Sequence, residues 1–161
     1  MRIPIVNEQD EIIGYEDREN RNPKHICRIS ALWLTDFDDN VLLAQRAFSK
    51  KLNPGLWGPA VAGTVEEGET YESNIIKEAE EEIRLIGLKP ILGPKLRRSV
   101  THEYFAQWFT AIVDHDYPFK KQDNEVEEIR WFSKDEILKL LEEKPELFSK
   151  NFKNNLIYFS K

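Results

Sequence analysis

The sequence of 161 residues has little cysteine and little histidine: Cys27 stands alone, and there are three histidines. A lone cysteine cannot form an internal disulfide bond, which fits a reducing compartment, and we predict a cytoplasmic location. Because small residues in apolar stretches are usually buried, Cys27 is a weak candidate for a catalytic thiol. The spacing of His25, His102 and His115 shows no pattern of metal ligands.

Long apolar runs and an excess of positive charge are also absent. No run approaches the ~20 residues of a membrane span, and the stretch "MRIPIVNEQDEIIGYEDREN" lacks the apolar core and cleavage site of a signal peptide. The net charge of −6 argues against binding nucleic acid by phosphate neutralisation. It does not exclude an anionic substrate, because a bound metal reverses the local sign of an acidic site.

What the chain does contain is typical of one globular domain. Hydrophobic residues make up 40% and charged residues 32%, a balance that favours a packed core over disorder. We find no internal repeat, low-complexity tract or linker, so residues 1–161 are expected to form a single domain.

Alternating apolar patterns predict strands on both sides of one central helix. "RIPIV" and "EIIGY" flank the turn-forming "NEQD" and predict an N-terminal β-hairpin. Further strands are expected in "ICRISALWLTDF", "NVLLAQRA", "EYFAQWFTAIVD" and "VEEIRWF". Helical spacing predicts a helix from about Thr70 to Ile86 and two more near the end of the chain. The expected class is α/β or α+β, with a mixed sheet covered by helices on both sides.

The central helix is acidic. The stretch "GTVEEGETYESNIIKEAEEEIRL", from Gly63 to Leu85, contains eight carboxylates. On a helix Glu78, Glu81 and Glu82 share one face, because their offsets are three and four. A solvated acidic face is the common explanation of such a pattern. The glycines before the helix favour a second explanation, a site for a divalent cation. Hard cations such as Mg²⁺ bind oxygen ligands, and the Gly63 carbonyl together with the helix carboxylates would supply such ligands.

This stretch resembles the Nudix box, whose glycine, glutamates and final aliphatic residue recur here at the required spacing. The matching positions are Gly63, Glu69, Glu78, Glu81, Glu82 and Leu85. The resemblance implies a Nudix-type α/β/α sandwich with a mixed central sheet, in which the three clustered carboxylates bind metal ions.

Two positions depart from the box. Lys77 stands where the family has an arginine that pairs with the glutamate at position 69; it keeps the charge but loses the bidentate fork. Arg84 stands where the family has a glycine, and we expect the helix to continue one turn further, to Gly87.

Beyond the box the chain resembles the branch that includes isopentenyl-diphosphate isomerase. Arg46 and Lys50 match an arginine and a lysine that hold the diphosphate in that isomerase, although an exposed basic strand end would explain them equally well. Ala62 stands where the isomerase has its catalytic cysteine, and Thr64 where it has a metal-binding histidine. Ala62 cannot transfer a proton. The resemblance therefore implies an isomerase-like scaffold that performs Nudix hydrolysis.

The implied reaction is the cleavage of a diphosphate linkage by water. Mg²⁺, or Mn²⁺ in its place, would bind Glu78, Glu81, Glu82 and the carbonyl of Gly63, with Glu81 and Glu82 also acting in catalysis. The general base varies in this family. The candidates are Glu103, which we favour, and the later residues Glu125, Glu127 and Glu128.

The substrate is a small organic diphosphate, and the sequence does not choose among nucleotide and prenyl compounds. The predicted substrate-binding residues are Arg46, Lys50 and Trp57. Trp57 would stack on a nucleotide base, and Trp108, Phe48 and Tyr104 are further candidates for this role. Aromatic residues beside strands more often belong to the core. An isomerase and a non-catalytic nucleotide-binding module remain alternatives. The N-terminal hairpin or the C-terminal helix would provide the surface of a homodimer.

Overall fold

The structure is a computed structural model and describes residues 1–159. The strands are β1 Arg2–Val6, β2 Ile12–Asp17, β3 Cys27–Thr35, β4 Val41–Arg46, β5 Trp57–Pro59, β6 Val61–Thr64, β7 Ile91–Arg98, β8 Tyr104–Ile112 and β9 Val126–Phe132. The α-helices are α1 Tyr71–Ile83, α2 Lys134–Glu143 and α3 Phe152–Leu156. Short 3-10 turns occupy Arg18–Asn20 and Pro145–Leu147.

The predicted N-terminal hairpin is present as the antiparallel pair β1–β2. Its turn is tied to the rest of the fold by Asp10, whose side chain is almost fully buried. The Asp10 carboxylate accepts hydrogen bonds from Arg28 Nε at 2.8 Å, from the Tyr71 hydroxyl at 2.9 Å and from Lys95 Nζ at 2.7 Å. The hairpin therefore contacts β3, β7 and the first residue of α1 through one carboxylate.

Strand β3 is the centre of a mixed sheet. It pairs in parallel with β8 along its whole length, and antiparallel with β6 near its start and with β4 near its end. Strand β4 also pairs antiparallel with β5 and β9, while β7 lies against β8. Because β4 and β9 are antiparallel, the end of β4 at Arg46 lies beside the start of β9 at Val126.

Helices cover both faces of the sheet. Because side chains alternate along each strand, consecutive residues of one strand contact different helices. On β3, Leu32 and Leu34 pack against α1, whereas Ala31 and Trp33 pack against α2 and α3. The predicted α/β/α sandwich with a mixed central sheet is thus confirmed.

Each longer helix begins at a residue that caps its free N–H groups. The Thr70 hydroxyl accepts a hydrogen bond from Ser73 N at 3.0 Å, and the Ser73 hydroxyl accepts one from Thr70 N at 2.9 Å. The Ser133 hydroxyl accepts one from Glu136 N at 3.1 Å and opens α2. The last helix, α3, is short and has 5 residues. None of the helices within residues 1–159 has the length and apolar character needed to cross a membrane.

The turn between β3 and β4 is organised by Asp36, whose side chain is 1% exposed. Its carboxylate accepts backbone hydrogen bonds from Asp38 and Asn40, each at 2.9 Å, and pairs with His115 Nδ1 at 2.7 Å. The His115 ring stacks on Trp131 with centroids 5.1 Å apart. Asp36 therefore holds both its own turn and the start of the long loop that follows β8.

Asp36→Asn is expected to destabilise the protein in a pH-dependent way. Burial raises the pKa of Asp36, but the hydrogen bonds from Asn40 and His115 outweigh it and lower the pKa to about 2. Since this lies below the unfolded value of about 3.9, the stabilisation is complete above that value and is lost as the pH falls towards 2. Urea unfolding should show a loss of about 2 kcal/mol at neutral pH.

The control is Asp116→Asn, because Asp116 is exposed in the loop after β8, next to the Asp36 partner His115. At pH 3 the gap between wild type and Asp36→Asn should shrink by roughly 1 kcal/mol, while the control stays near wild type. A gap of the same size at both pH values would contradict the assignment of Asp36 as a buried, ionised hydrogen-bond acceptor.

Candidate functional site

The loop before α1 is shaped by Glu69. Its carboxylate accepts hydrogen bonds from Glu66 N at 2.8 Å and from Asn74 Nδ2 at 3.0 Å, and it pairs with Lys77 Nζ at 2.7 Å. Burial raises the pKa of Glu69, but these bonds outweigh it and hold the pKa below its usual value. Glu69 thus shapes the loop and also pairs with residue 77, as the resemblance implied.

Lys77 replaces the expected arginine by contacting two carboxylates instead of one. Its ammonium group pairs with both Glu66 and Glu69, and it lies 3.7 Å from Glu78. Burial lowers the pKa of Lys77, but the hydrogen bonds to Glu66 and Glu69 outweigh it and raise the pKa above its usual value. The tie between loop and helix is therefore kept without a guanidinium fork.

Asn74 is a structural residue of the site that the sequence did not reveal. It is completely buried in α1, where its Nδ2 donates to the Thr64 carbonyl at 3.1 Å and its Oδ1 accepts from the Ser30 hydroxyl. These contacts join α1 to β3 and β6. A polar residue inside an apolar helical pattern was the available signal, since a buried amide needs partners.

Gly63 lies in β6 directly beneath the side chain of Glu78. A Cβ atom at position 63 would lie 2.5 Å from Cγ and 2.8 Å from Cδ of Glu78, closer than any real contact allows. Any side chain at position 63 would therefore force Glu78 to move. The contact brings the Glu78 carboxyl group to the backbone of β6.

Glu82 lies one helical turn after Glu78, on the same face of α1. Burial raises the pKa of both, and the neighbouring Glu78 charge raises the pKa of Glu82 further. Glu81 is exposed but close enough to raise the pKa of Glu78. Carboxylates so crowded are stabilised by a proton or by a cation.

The oxygen donors at this face suit a hard divalent cation. No three Asp, Glu, His or Cys side chains within residues 1–159 form a ready-made metal-binding group. Mg²⁺ usually keeps several waters and takes one or two carboxylates plus substrate oxygens, so it needs an open site of this kind. Glu78 and Glu82 with the Gly63 backbone fit that requirement.

Positive charge lies next to the carboxylates. Arg46, at the end of β4, is close enough to Glu82 to lower its pKa. The Arg46 Nε donates to the Leu52 carbonyl at 2.5 Å, and burial lowers the pKa of its guanidinium. Lys50 Nζ pairs with Glu125 at 2.9 Å. The two residues predicted to bind diphosphate are therefore beside the proposed metal face.

Glu125, rather than the favoured Glu103, is the candidate base whose charge acts on Glu82. Glu125 is close enough to Glu82 to raise its pKa. Glu103 instead accepts from Arg97 Nη2 at 3.0 Å, and Arg97 also pairs with Glu8 in the N-terminal hairpin. Glu127 and Glu128 are exposed on β9, as expected of ordinary strand residues.

Trp57 lies on the wrong face of the sheet for the predicted stacking role. It pairs with Gln45 and packs against the core beneath α2 and α3, with its ring edge-on to Phe132 at 5.1 Å. Arg46 follows Gln45 and therefore projects to the opposite face, towards α1. The contacts of Trp57 are those of a core residue.

Helix α1 ends at Ile83, so the expected extension to Gly87 is wrong. Arg84 has the left-handed conformation, with φ 57° and ψ 33°. Its N–H donates to Glu80 O at 3.1 Å, and Leu85 N donates to Ala79 O at 3.0 Å. Arginine adopts here the backbone geometry for which glycine is favoured.

The loop after β8 satisfies the carbonyl groups at this helix end. The Tyr117 hydroxyl donates to Arg84 O and accepts from Ile86 N, both at 3.1 Å. Two backbone donors complete the set: Lys120 N to Ile83 O at 3.1 Å, and Gln122 N to Glu82 O at 2.8 Å. The same loop ends at Glu125, so one segment fixes both the helix end and the candidate base.

A sheet between helices, with a glycine-backed pair of helix carboxylates at one edge, is the arrangement of a Nudix domain. The NUDIX domain family model matches residues 25–152, and the chain belongs to this family. The sequence prediction of a Nudix-type pyrophosphohydrolase is confirmed at the level of the family.

Individual proteins are also similar to this chain in sequence or in fold. An uncharacterised Nudix hydrolase of Yersinia pestis is 27% identical over 138 residues, covering 84% of this chain and 74% of the relative. An isopentenyl-diphosphate Delta-isomerase of an Enterobacter species is 28% identical over 157 residues, covering 91% and 84%. The crystal structure of DR0079 from Deinococcus radiodurans superposes with a TM-score of 0.84 at 21% identity, covering 99% of both chains.

Arg84→Gly is expected to stabilise the protein. The left-handed backbone costs a residue with a Cβ atom about 1 kcal/mol, and glycine removes that cost. Urea unfolding should show the gain. The matched control is Lys139→Gly, at an exposed position inside α2, where glycine should destabilise by about 1 kcal/mol. An equal loss in the free energy of unfolding for both variants would contradict the left-handed conformation of Arg84.

Proposed function

We propose that the protein is a divalent-metal-dependent hydrolase that cleaves the diphosphate linkage of a nucleoside diphosphate derivative or a similar organic diphosphate. The observation that supports this most is the contact of Glu78 with the Gly63 backbone, with Glu82 alongside. This contact gathers oxygen donors at a site where the positive charge of Arg46 acts on Glu82, and where Lys50 pairs with Glu125. Such a pairing of carboxylates and cations suits a metal-bound diphosphate.

The residues proposed to hold the metal are Glu78, Glu81, Glu82 and the carbonyl of Gly63, with Mg²⁺ as the expected ion and Mn²⁺ as a substitute. When bound, the metal supplies charge neutralisation for diphosphate oxygens and a lowered pKa for the attacking water. Glu78 would bind from its place against the Gly63 backbone, and Glu82 would also help to hold the attacking water.

The remaining roles belong to the residues around Glu82. The Arg46 guanidinium offers N–H groups in a fixed plane, which suits phosphate oxygens, and Lys50 offers a point charge. Glu125 pairs with Lys50 and its charge acts on Glu82, and we propose it as the general base that accepts a proton from the water. Glu103 then serves to bind Arg97 and the hairpin.

Three Glu→Gln variants, each of which removes one carboxylate charge and keeps the side-chain shape, test these roles in one hydrolysis assay with Mg²⁺. The substrates are nucleoside triphosphates, nucleotide sugars, ADP-ribose, dinucleoside polyphosphates and prenyl diphosphates. We expect Glu82→Gln to lower kcat/KM by roughly 100-fold or more, and Glu125→Gln by roughly 10- to 100-fold, because each removes a carboxylate from the reacting water. Glu103→Gln should stay within about 3-fold of wild type.

The control is Glu127→Gln, an exposed glutamate of β9. Wild-type activity in Glu82→Gln would overturn the mechanism. A loss confined to Glu103→Gln would return the base to that residue. Nucleotide binding without turnover would favour a binding module, and conversion of isopentenyl to dimethylallyl diphosphate would favour an isomerase.

Gly63→Ala should impair turnover without unfolding the protein. The added Cβ would displace Glu78, whose Cγ and Cδ it meets at 2.5 and 2.8 Å, so kcat should fall by roughly 10-fold or more. The control is Gly14→Ala, because a Cβ there meets nothing within 4 Å. Circular dichroism and kcat are measured on both; an unchanged kcat in folded Gly63→Ala would contradict the proposed placement of Glu78.

A further inference from the structure

Arg21, in the segment between β2 and β3, has a buried guanidinium nitrogen without a partner. Its Nη1 atom is shielded from solvent and makes no hydrogen bond within residues 1–159. Glu16, on β2, accepts from Asn22 N at 2.9 Å and pairs with His25 rather than with Arg21. Buried N–H groups nearly always have an acceptor, and a charged donor needs one most. Arg21 Nη1 therefore indicates a place for an acceptor from outside the chain.

The sheet brings other basic side chains to the same end as Arg21. Strands β3 and β8 are parallel, so they start side by side, with Cys27 opposite Tyr104. Strand β4 runs antiparallel to β3 and ends at Arg46, so this end of β4 lies towards the start of β3. His102 comes just before β8, and its ring packs on Tyr104 with centroids 4.7 Å apart.

The charges of Arg18 and Arg21 act on the residues gathered at this end. Burial, and then the charges of Arg21 and Arg18, lower the pKa of His102 to about 4. Burial raises the pKa of the Cys27 thiol, and the charge of Arg21 opposes this effect. Burial lowers the pKa of Arg46, and the charge of Arg18 lowers it as well. Positive charges are therefore crowded around the starts of β3 and β8.

No carboxylate of the described residues balances this positive charge by direct contact. Within residues 1–159, Arg18 and Arg21 form no ion pair with an aspartate or a glutamate. Glu103, beside His102, pairs with Arg97 at 3.0 Å instead. Because like charges repel, such a cluster is stabilised by an anion and disfavours a metal cation.

We propose that Arg18, Arg21 and His102 form a binding site for a tetrahedral oxyanion of the phosphate type, next to the proposed diphosphate-binding pair but distinct from it. Guanidinium groups offer planar sets of N–H donors that match phosphate oxygens, and a neutral imidazole offers one more N–H. Arg18 is exposed, so the site is open to solvent on its side. A phosphate group of the substrate and free inorganic phosphate share this chemistry. Binding there needs neither a metal ion nor turnover and is therefore independent of the proposed function.

The test is an NMR titration of the whole chain with sodium sulfate at neutral pH, in metal-free buffer at constant ionic strength. Sulfate is a dianion of the same shape as phosphate. We expect Arg21→Gln to weaken sulfate binding by roughly 10-fold or more, because it removes a buried charged donor. Arg18→Gln, a change at an exposed position, should weaken sulfate binding by about 3- to 10-fold.

Two further variants serve as controls. Lys24→Gln removes one positive charge from an exposed position of the same segment, and it should bind sulfate within about 2-fold of wild type. Lys50→Gln should do the same, because Lys50 belongs to the proposed diphosphate-binding pair. Equal sulfate affinity in wild type and Arg21→Gln would overturn the site. So would a loss in either lysine variant as large as the loss in Arg21→Gln, because the anion would then belong to the diphosphate-binding residues or respond to net charge alone.

The His102 ring provides a second readout, which a damaged fold does not imitate. A bound sulfate favours the charged imidazolium, so it should raise the pKa of His102 from about 4 towards its ordinary value. The ring signals of His25 and His115 should not respond to sulfate. A pKa of His102 that is the same in sulfate and in chloride would contradict the proposed contact.

Hydrolysis assays distinguish a phosphate group of the substrate from free phosphate. Inorganic phosphate is added to wild type and to Arg21→Gln, each acting on the diphosphate that wild type hydrolyses best. An increase in KM that is present only in wild type assigns the site to a group of the substrate, whereas a change in kcat present only in wild type assigns it to free phosphate. Equal effects of phosphate on both proteins would overturn the role of Arg21. Failure of the wild type to hydrolyse any diphosphate would count against the proposed function alone, since sulfate binding is measured without metal or substrate.

Discussion

The contact between the Glu78 side chain and the Gly63 backbone is the constraint on which the site depends. It requires α1 to lie directly on β6, and Asn74 fixes that position through Thr64 and Ser30. Once the helix is placed, Glu82 necessarily lies beside Glu78 on the same face. The acidic cluster is thus a consequence of packing between one helix and one short strand.

Both ends of α1 are held by segments from elsewhere in the chain. At its start, Tyr71 contacts Asp10 of the hairpin turn. At its end, the loop after β8 supplies donors to the last carbonyls through Tyr117 and its neighbours. The loop continues to Glu125, so the element that closes the helix also carries a carboxylate whose charge acts on Glu82. Fixed helix ends favour the preorganised geometry that catalysis requires.

Local patterns predicted much of this fold, as the hairpin, the sandwich and the box positions show. The helix end was missed because Ile86 continues the apolar spacing and only backbone conformation shows that Arg84 is left-handed. The sequence also could not rank the candidate site residues. Which candidate base acts on Glu82, and on which face Trp57 packs, depends on strand order and pairing register, which are long-range properties that no local pattern encodes.

The central claim is that Glu78 and Glu82 form a metal-binding face. Electron paramagnetic resonance of Mn²⁺ in the presence of the protein measures this directly, without any assumption about the substrate. We expect wild type and Glu80→Gln, an exposed position outside the motif, to bind Mn²⁺ equally. Glu78→Gln and Glu82→Gln should bind it roughly 10-fold more weakly or worse. Unchanged Mn²⁺ affinity in these two folded variants would contradict the account.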